Sequence, residues 1–296
     1  MTTGTSKIRT LLSDAGLFYA AAIWGSTFFI VKDALRDVDP VTMVGYRFLI
    51  AGFVLLVFVL ATKRSLAKDI GKAVFLSIIL VTLYATQTIG LGHTTASNSG
   101  FITGLFVFFI PVFMRSIFHK KPTLMEWIAS AVSLTGLWIL TGGLRDVNFG
   151  DLITLVSAVT YALHVLYSDK YMKAGVDPFT ISCQQFLLVG LFSLVAAAVF
   201  RLPFGVESAF AWWVIVFLAL FPSLSAFVIQ MIAQKYTSPL KVSLIFALEP
   251  VFAAIFAWTL GGEQIVAHRA LGGLLIFVAL VISGLPMPGR RLKEAV

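Results

Sequence analysis

Apolar runs follow one another along this chain, each bounded by a few charged or turn-forming residues. They occupy residues 15–31, 41–61, 73–91, 97–118, 124–141, 151–168, 179–199, 210–233, 240–260 and 267–286. A helix rises about 1.5 Å per residue, so about 20 apolar residues cross a hydrocarbon core about 30 Å thick. The pattern predicts an all-α polytopic membrane protein with ten transmembrane helices. The connections are short and leave no room for a separate soluble domain. The polar tail GRRLKEAV is expected to fray.

The polar positions say nearly the same thing twice. Ala15–Phe48 reads as an apolar helix, a short charged turn at Asp39-Pro40, and a second apolar helix carrying Arg47. A weaker copy begins near Gly150. Trp24-Gly25 is matched by Tyr161-Ala162, Lys32 by Lys170, and Asp39-Pro40 by Asp177-Pro178. Further on, Gln87 matches Gln230 and Thr94 matches Thr237. The chain therefore divides into two five-helix repeats, 1–146 with an N-terminal tail 1–14, and 147–296 with a C-terminal tail 287–296. An odd number of spans makes the second unit enter the membrane in the opposite direction to the first. The two are then inverted-topology repeats about a pseudo-two-fold axis in the membrane plane, as in many secondary transporters.

Composition agrees with a membrane protein. The 296 residues are 59% hydrophobic and 12% charged, with a mean hydropathy of +0.95, against about 25% charged residues in a soluble domain. The net charge of +8 lies in short loops rather than along a basic stripe, so orientation explains it better than nucleic-acid binding. With the N-terminus in the cytoplasm, sixteen Lys and Arg fall inside and five outside, with Arg47 within a span. Both termini are then cytoplasmic. The first apolar run is too long for a signal-peptide core and lacks a small-residue cleavage site, which predicts a retained helix. The single cysteine, Cys183, excludes an intramolecular disulfide.

These residues resemble the EamA type of the drug/metabolite transporter superfamily. The resemblance is carried by Trp24-Gly25 with Lys32 and Asp39-Pro40, by Thr94-Thr95-Ala96-Ser97-Asn98-Ser99, by Glu249-Pro250 followed by Gly261-Gly262-Glu263, and by Gly272. It extends over essentially the whole chain. Within the family the chain looks most like the aromatic amino-acid exporters of bacterial inner membranes. The first unit departs from the pattern, with Val107 aligned to Pro250 and Lys120 to Glu263. The resemblance implies a central cavity lined by the first, third, fourth, sixth, eighth and ninth spans.

Polar side chains within lipid usually face a bundle interior or a water-filled path. Trp24, Thr27 and Phe28 share a face of the first span, Tyr84 and Gln87 of the third, and Tyr161 and His164 of the sixth. Asn98 opens the fourth span, while Gln230 and Ser243 lie on the eighth and ninth. Amides and hydroxyls suit the carboxylate and ammonium of a zwitterion, and Trp and Tyr stack on a planar ring. Each has a plainer role open to it. Gln87 and Gln230 are cavity residues or interhelical glue, and His164 is a proton carrier or a satisfied donor. Glu249, the one carboxylate well inside an apolar run, is a site carboxylate or, with Pro250, a hinge. Pro111 and Pro222 are similar hinge candidates. Arg47 is expected to snorkel or to pair within the protein rather than to bind cargo. Gly45, Gly52, Gly136, Gly190, Gly272 and Gly273 suit close helix packing. Trp127, Trp212 and Trp213 look like interfacial anchors.

The expected function is export of small metabolites, amino acids including aromatic ones, by alternating access around a midplane cavity, with no cofactor or metal. The partners are a small-molecule substrate and the lipid bilayer, with no nucleic acid, and one chain forms a complete pathway as a monomer. Drug-like amines or nucleotide precursors are the alternative cargo. An integral membrane enzyme is a remote alternative, lacking an Asp-rich motif or a His/Cys metal set. No P-loop sequence for ATP-driven transport is present. Proton antiport and facilitated export both remain open.

Overall fold

The computed structural model describes residues 2–143, 147–259 and 267–283. Among them every regular element is a helix, and the only extended pairing is one isolated bridge between Val38 and Val206. In chain order the helices are α1 (Thr2–Gly25), α2 (Thr27–Ala34), α3 (Pro40–Ala61), α4 (Ile70–His93), α5 (Ala96–Gly104), α6 (Phe106–Ser116) and α7 (Leu124–Thr141). They continue with α8 (Phe149–Lys173), α9 (Pro178–Val199), α10 (Ala209–Leu218), a π-helical segment (Ala219–Ser225), α11 (Ala226–Ala233), α12 (Pro239–Phe246), α13 (Glu249–Thr259) and α14 (Ala267–Ser283).

Nine helical stretches among the described residues are long and apolar enough to cross a membrane, and Ala267–Ser283 is a shorter apolar helix. The tenth expected span, 267–286, ends beyond the described residues, as do the C-terminal tail and the Gly261-Gly262-Glu263 motif. One boundary moves: the N-terminal tail 1–14 is helical from Thr2 and continuous with the first span. Its only glycine before Asp14 is Gly4, and no proline interrupts it, so a helix nucleated in the apolar run propagates backwards.

The repeated Asp-Pro pairs act as helix starts. The Asp39 carboxylate accepts from the Val41 and Thr42 amides at 2.8 and 3.1 Å, and Asp177 accepts from Thr180 at 2.9 Å. Pro40 and Pro178 each fill a first helical position, where no amide is needed. Outward faces carry large exposed apolar side chains such as Val57, Leu191, Leu274 and Phe277. A surface so apolar is suited to lipid rather than to water.

The loops gather at two ends. At the upper end, residues 35–39 meet residues 200–208: Glu207 donates its amide to the Asp37 carbonyl at 2.9 Å, and Thr42 Oγ1 donates to the Pro203 carbonyl at 2.8 Å. At the lower end, Arg64 pairs with Asp177 at 2.5 Å, Lys241 pairs with Asp14 at 2.6 Å, and Lys173 pairs with Asp169.

The most extensive helix pairings all join one half of the chain to the other: α3 with α9, α4 with α8, and α7 with α14. Glycines set two of these crossings. On α3, Gly45 lies against Leu194 and Gly52 against Leu187; on α9, Gly190 lies against Leu49. As one residue number rises its partner's falls by the same amount, so α3 and α9 run antiparallel. Gly52 aligns with Gly190, and Leu49 with Leu187, so each glycine meets the counterpart of the leucine that its own counterpart meets. Gly136 of α7 and Gly272 of α14 cross in the same reciprocal way, Gly136 against Ile276 and Gly272 against Leu140. An added Cβ at any of Gly52, Gly136, Gly190 or Gly272 would come within 3.0 Å of a neighbouring atom.

Candidate functional site

Four of the spanning stretches are interrupted, and three of the interruptions surround one cavity. The first span bends at Ser26, where Ser26 Oγ and Thr27 Oγ1 donate back to the carbonyls of Ile23 and Trp24, both at 2.7 Å. Such back-bonding competes with the helical ladder and bends it. Gly25 lets the ninth span approach: an added Cβ would lie 2.4 Å from the Glu249 carbonyl oxygen. That span breaks at Ala247 and Leu248, ahead of Glu249 and Pro250, because a proline has no amide to bond the carbonyl four residues back. In the eighth span the widened π turn accommodates Pro222. The fourth interruption, at Leu105, separates α5 from α6.

The cavity has a volume of about 40 Å³. It is lined from α1 and α2 by Trp24, Thr27, Phe28 and Val31, from α3 by Arg47, and from α4 by Leu83, Tyr84, Gln87, Thr88 and Leu91. Tyr161 of α8, Phe227 of α11 and Glu249 of α13 complete it. Room for a few waters is available, since each needs about 10–15 Å³, but a small-molecule pocket occupies about 300 Å³ or more. The cavity is therefore too small for such a molecule. Its lower wall is a layer of rings: Trp24 lies edge-on to Phe246, Phe227 and Tyr161 with centroids 4.8, 5.4 and 6.4 Å apart. Trp24 Nε1 donates to the Pro222 carbonyl at 2.9 Å, tying this layer to the π turn.

Two ionisable side chains, Arg47 and Glu249, line this space without an ion pair between them. Arg47 is buried; its Nε donates to Ser223 Oγ at 3.0 Å, and its guanidinium lies 4.7 Å from the Tyr84 ring centroid and 5.2 Å from that of Phe48. The rings supply cation–π attraction in place of a carboxylate. The Tyr84 hydroxyl is a further hydrogen-bond partner of the guanidinium, and no carboxylate pairs with it among the described residues. Glu249 is also buried, and its carboxyl group has neither a hydrogen bond nor an ion pair among them. Buried ionisable groups are ordinarily paired; here Arg47 is held by Ser223 and Tyr84 without a carboxylate, and the Glu249 carboxyl has no partner among the described residues.

The structure brings Trp24, Thr27, Tyr84, Gln87, Tyr161 and Glu249 together around the cavity, with Pro250 beside the break. Gln87 Nε2 also donates to Thr103 Oγ1 at 3.3 Å. Asn98 sits apart at the upper end, its Nδ2 3.3 Å from Asp151 Oδ2, in a buried cluster with Thr94, whose Oγ1 donates to Asp151 at 2.5 Å. Lys32 donates to the Thr94 carbonyl in the same cluster. Ser243 is buried and bonds back to the Leu240 carbonyl at 2.7 Å. His164 and Gln230 lie below the ring layer. Arg47 pairs within the protein, with Ser223, Tyr84 and Phe48, which is one of the two places expected for it, and it also lines the cavity. Val31, Leu83, Thr88, Leu91 and Phe227 are further lining residues, legible by continuing the helical faces of Thr27 and Tyr84 and by matching Phe227 to Tyr84 across the repeat.

The cleft at the lower end lined by Arg64, Ser65, Lys68, Asp69, Val176, Asp177, Thr180 and Ile181 is larger, about 240 Å³, but its carboxylates are already engaged by Arg64 and Lys72.

Apolar helices interrupted around a buried cavity that holds an arginine and a glutamate are a build that suits a helical membrane transporter. The chain belongs to the EamA-like transporter family, whose model matches it twice, over residues 11–142 and 148–285. It is 28% identical over 282 residues to an uncharacterized transporter of Archaeoglobus fulgidus, covering 95% of this chain and 89% of the relative. It is 26% identical over 295 residues to the uncharacterized inner membrane transporter YedA of Escherichia coli, covering 94% and 93%. The uncharacterized transporter YoaV of Bacillus subtilis is 24% identical over 273 residues, covering 88% and 92%. A solved crystal structure has the same fold, with a TM-score of 0.78 at 19% identity over 94% of this chain and 96% of the other.

Proposed function

We propose that the chain is a secondary transporter that exports small zwitterions, amino acids with aromatic or other apolar side chains, by alternating access around the cavity of Arg47 and Glu249. The observation that carries this is an arginine with no carboxylate partner and a glutamate with no partner among the described residues, lining one ring-walled space. Arg47 binds the carboxylate, Glu249 the ammonium, and Trp24, Tyr84 and Tyr161 the apolar side chain. Trp24 and Thr27 on the bent first span, Gln87 on α4, and the Glu249-Pro250 break make up the part of the path that moves.

The architecture proposed with it is ten spans in two inverted five-helix repeats. The antiparallel, reciprocal crossings of α3 with α9 and α7 with α14 support it, as does the double match to one family model. The loops that gather at the lower end carry most of the lysines and arginines, which supports a cytoplasmic lower end with both termini there. The inner-membrane description of YedA supports the same membrane for this chain. One chain carries both halves of the path, which favours a monomer.

The test is uptake of labelled phenylalanine and of phenethylamine into liposomes holding the purified protein. Saturable phenylalanine flux is expected, reduced about tenfold or more by Arg47→Met and by Glu249→Gln, as for loss of a charge-assisted contact worth about 1.5–3 kcal/mol. Phenethylamine, which has no carboxylate, separates the second cargo class. Flux of the amine that depends on Glu249 and ignores Arg47, with no phenylalanine flux, would transfer the assignment to drug-like amines.

A further inference from the structure

The residues of the cavity have counterparts in the other half of the chain, and those counterparts also lie together. Matching Trp24 to Tyr161, Asp39 to Asp177 and Gln87 to Gln230 sets Thr27 against His164, Arg47 against Gln185 and Tyr84 against Phe227. In the structure this second set is a buried polar cluster on the lower side of the ring layer. His164 Nε2 and Gln185 Oε1 are 2.9 Å apart, and the Phe227 ring lies edge-on to His164 with centroids 5.8 Å apart. Gln234 Nε2 donates to the Val165 carbonyl at 2.9 Å. Gln230 lies about one helical turn from both Phe227 and Gln234, so its amide falls between these two contacts with α8.

Neither amide atom of Gln230 has a hydrogen-bond partner among the described residues, and the same is true of His164 Nδ1, Ser168 Oγ and Gln234 Oε1, all of them buried. Buried polar atoms are nearly always paired. Of the eleven such side-chain atoms among the described residues, these five lie together where α8 faces α11 and its C-cap, at the positions that the repeat relates to the cavity lining. Packing alone gives no reason for that coincidence; a path that opens on the lower side does.

We infer that Gln230, His164 and Gln185 form a second, uncharged binding station for the polar head of the cargo, reached from the lower end when the ring layer has closed the upper cavity. It rests on the carrier reading above and deepens it. An amide donates to a carboxylate and accepts from an ammonium, while the neutral imidazole, whose Nε2–H donates to Gln185 Oε1, accepts through Nδ1. Cargo is held by a charged pair above the rings and by neutral dipoles below them. The upper face therefore binds it more tightly than the lower.

The test uses the full chain with Cys183→Ser, into which one cysteine is placed by Thr27→Cys, Gln230→Cys or Gln234→Cys. The variants are reconstituted in sealed vesicles and exposed, one face at a time, to a membrane-impermeant methanethiosulfonate. Thr27→Cys is expected to react from one face, and Gln230→Cys and Gln234→Cys from the opposite one. Both lower cysteines failing to react from either face, or reacting from the same face as Thr27→Cys, overturns the second station. Gln234→Cys keeps the test decisive where Gln230→Cys fails to fold. The labelling reads access and needs no transport. Opposite-face labelling without phenylalanine flux would therefore remove the amino-acid assignment and leave the station standing.

Discussion

Trp24 and Gly25 show how two adjacent residues divide one task. The indole fixes the ring layer by donating to the Pro222 carbonyl, and the missing side chain beside it admits the backbone of Glu249. Trp24→Phe retains the ring contacts and loses one hydrogen bond, a cost of about 1 kcal/mol. Gly25→Ala sets a methyl against a backbone oxygen that cannot turn aside, and overpacking of this kind costs about 1–3 kcal/mol. Thermal unfolding in detergent should therefore rank Gly25→Ala below Trp24→Phe, and both below the unaltered protein. The reverse ranking would mean that α13 yields easily at its break. The sequence marked both residues through the repeat. It allowed Arg47 either to snorkel or to pair within the protein, because a cation in an apolar run signals cost without telling which ring or hydroxyl offsets it. Tyr84 and Ser223, which do so here, lie far from it along the chain. Asn98 was equally opaque: a polar residue opening a span reads alike whether it lines a path or, as here, joins a cluster around Asp151.

At the scale of elements, spans were legible and their interruptions only partly so. Apolar length and the Asp-Pro caps place α3 and α9 closely, because the signals are local: a side-chain acceptor and a ring that fixes the backbone. Proline announces the weak points at Glu249-Pro250 and Pro222. In the fourth span the break falls at Leu105, after Gly104, a weak helix former, and not at the hinge candidate Pro111, which lies inside α6; nothing local announces the extent of the π turn. The glycines of α3 and α9 were expected to permit close packing, but their reciprocal register needed coordinates. It yields a quantitative expectation. Gly52→Ala and Gly190→Ala meet equivalent leucines, so each should cost about 1–3 kcal/mol, and the two costs should agree. Unfolding midpoints of the two variants, measured side by side, would separate a true two-fold crossing from a chance resemblance.

At the scale of the whole molecule, the strongest helix pairings cross from one half to the other, so neither half buries its apolar faces without its partner. A near-symmetric frame nevertheless holds an unsymmetric cavity. Arg47 belongs to the first half, where its counterpart in the second is Gln185. Glu249 belongs to the second, where its counterpart in the first is Phe106, stacked on Tyr161 with centroids 4.3 Å apart. A cargo whose carboxylate meets one half, whose ammonium meets the other and whose ring meets the aromatic wall is fixed at three points around a single carbon. Three such points have a handedness, and exchanging any two contacts requires the mirror image of the molecule. L- and D-phenylalanine should therefore compete unequally for labelled uptake. Arg47→Met, by removing one of the three points, should bring the two enantiomers together.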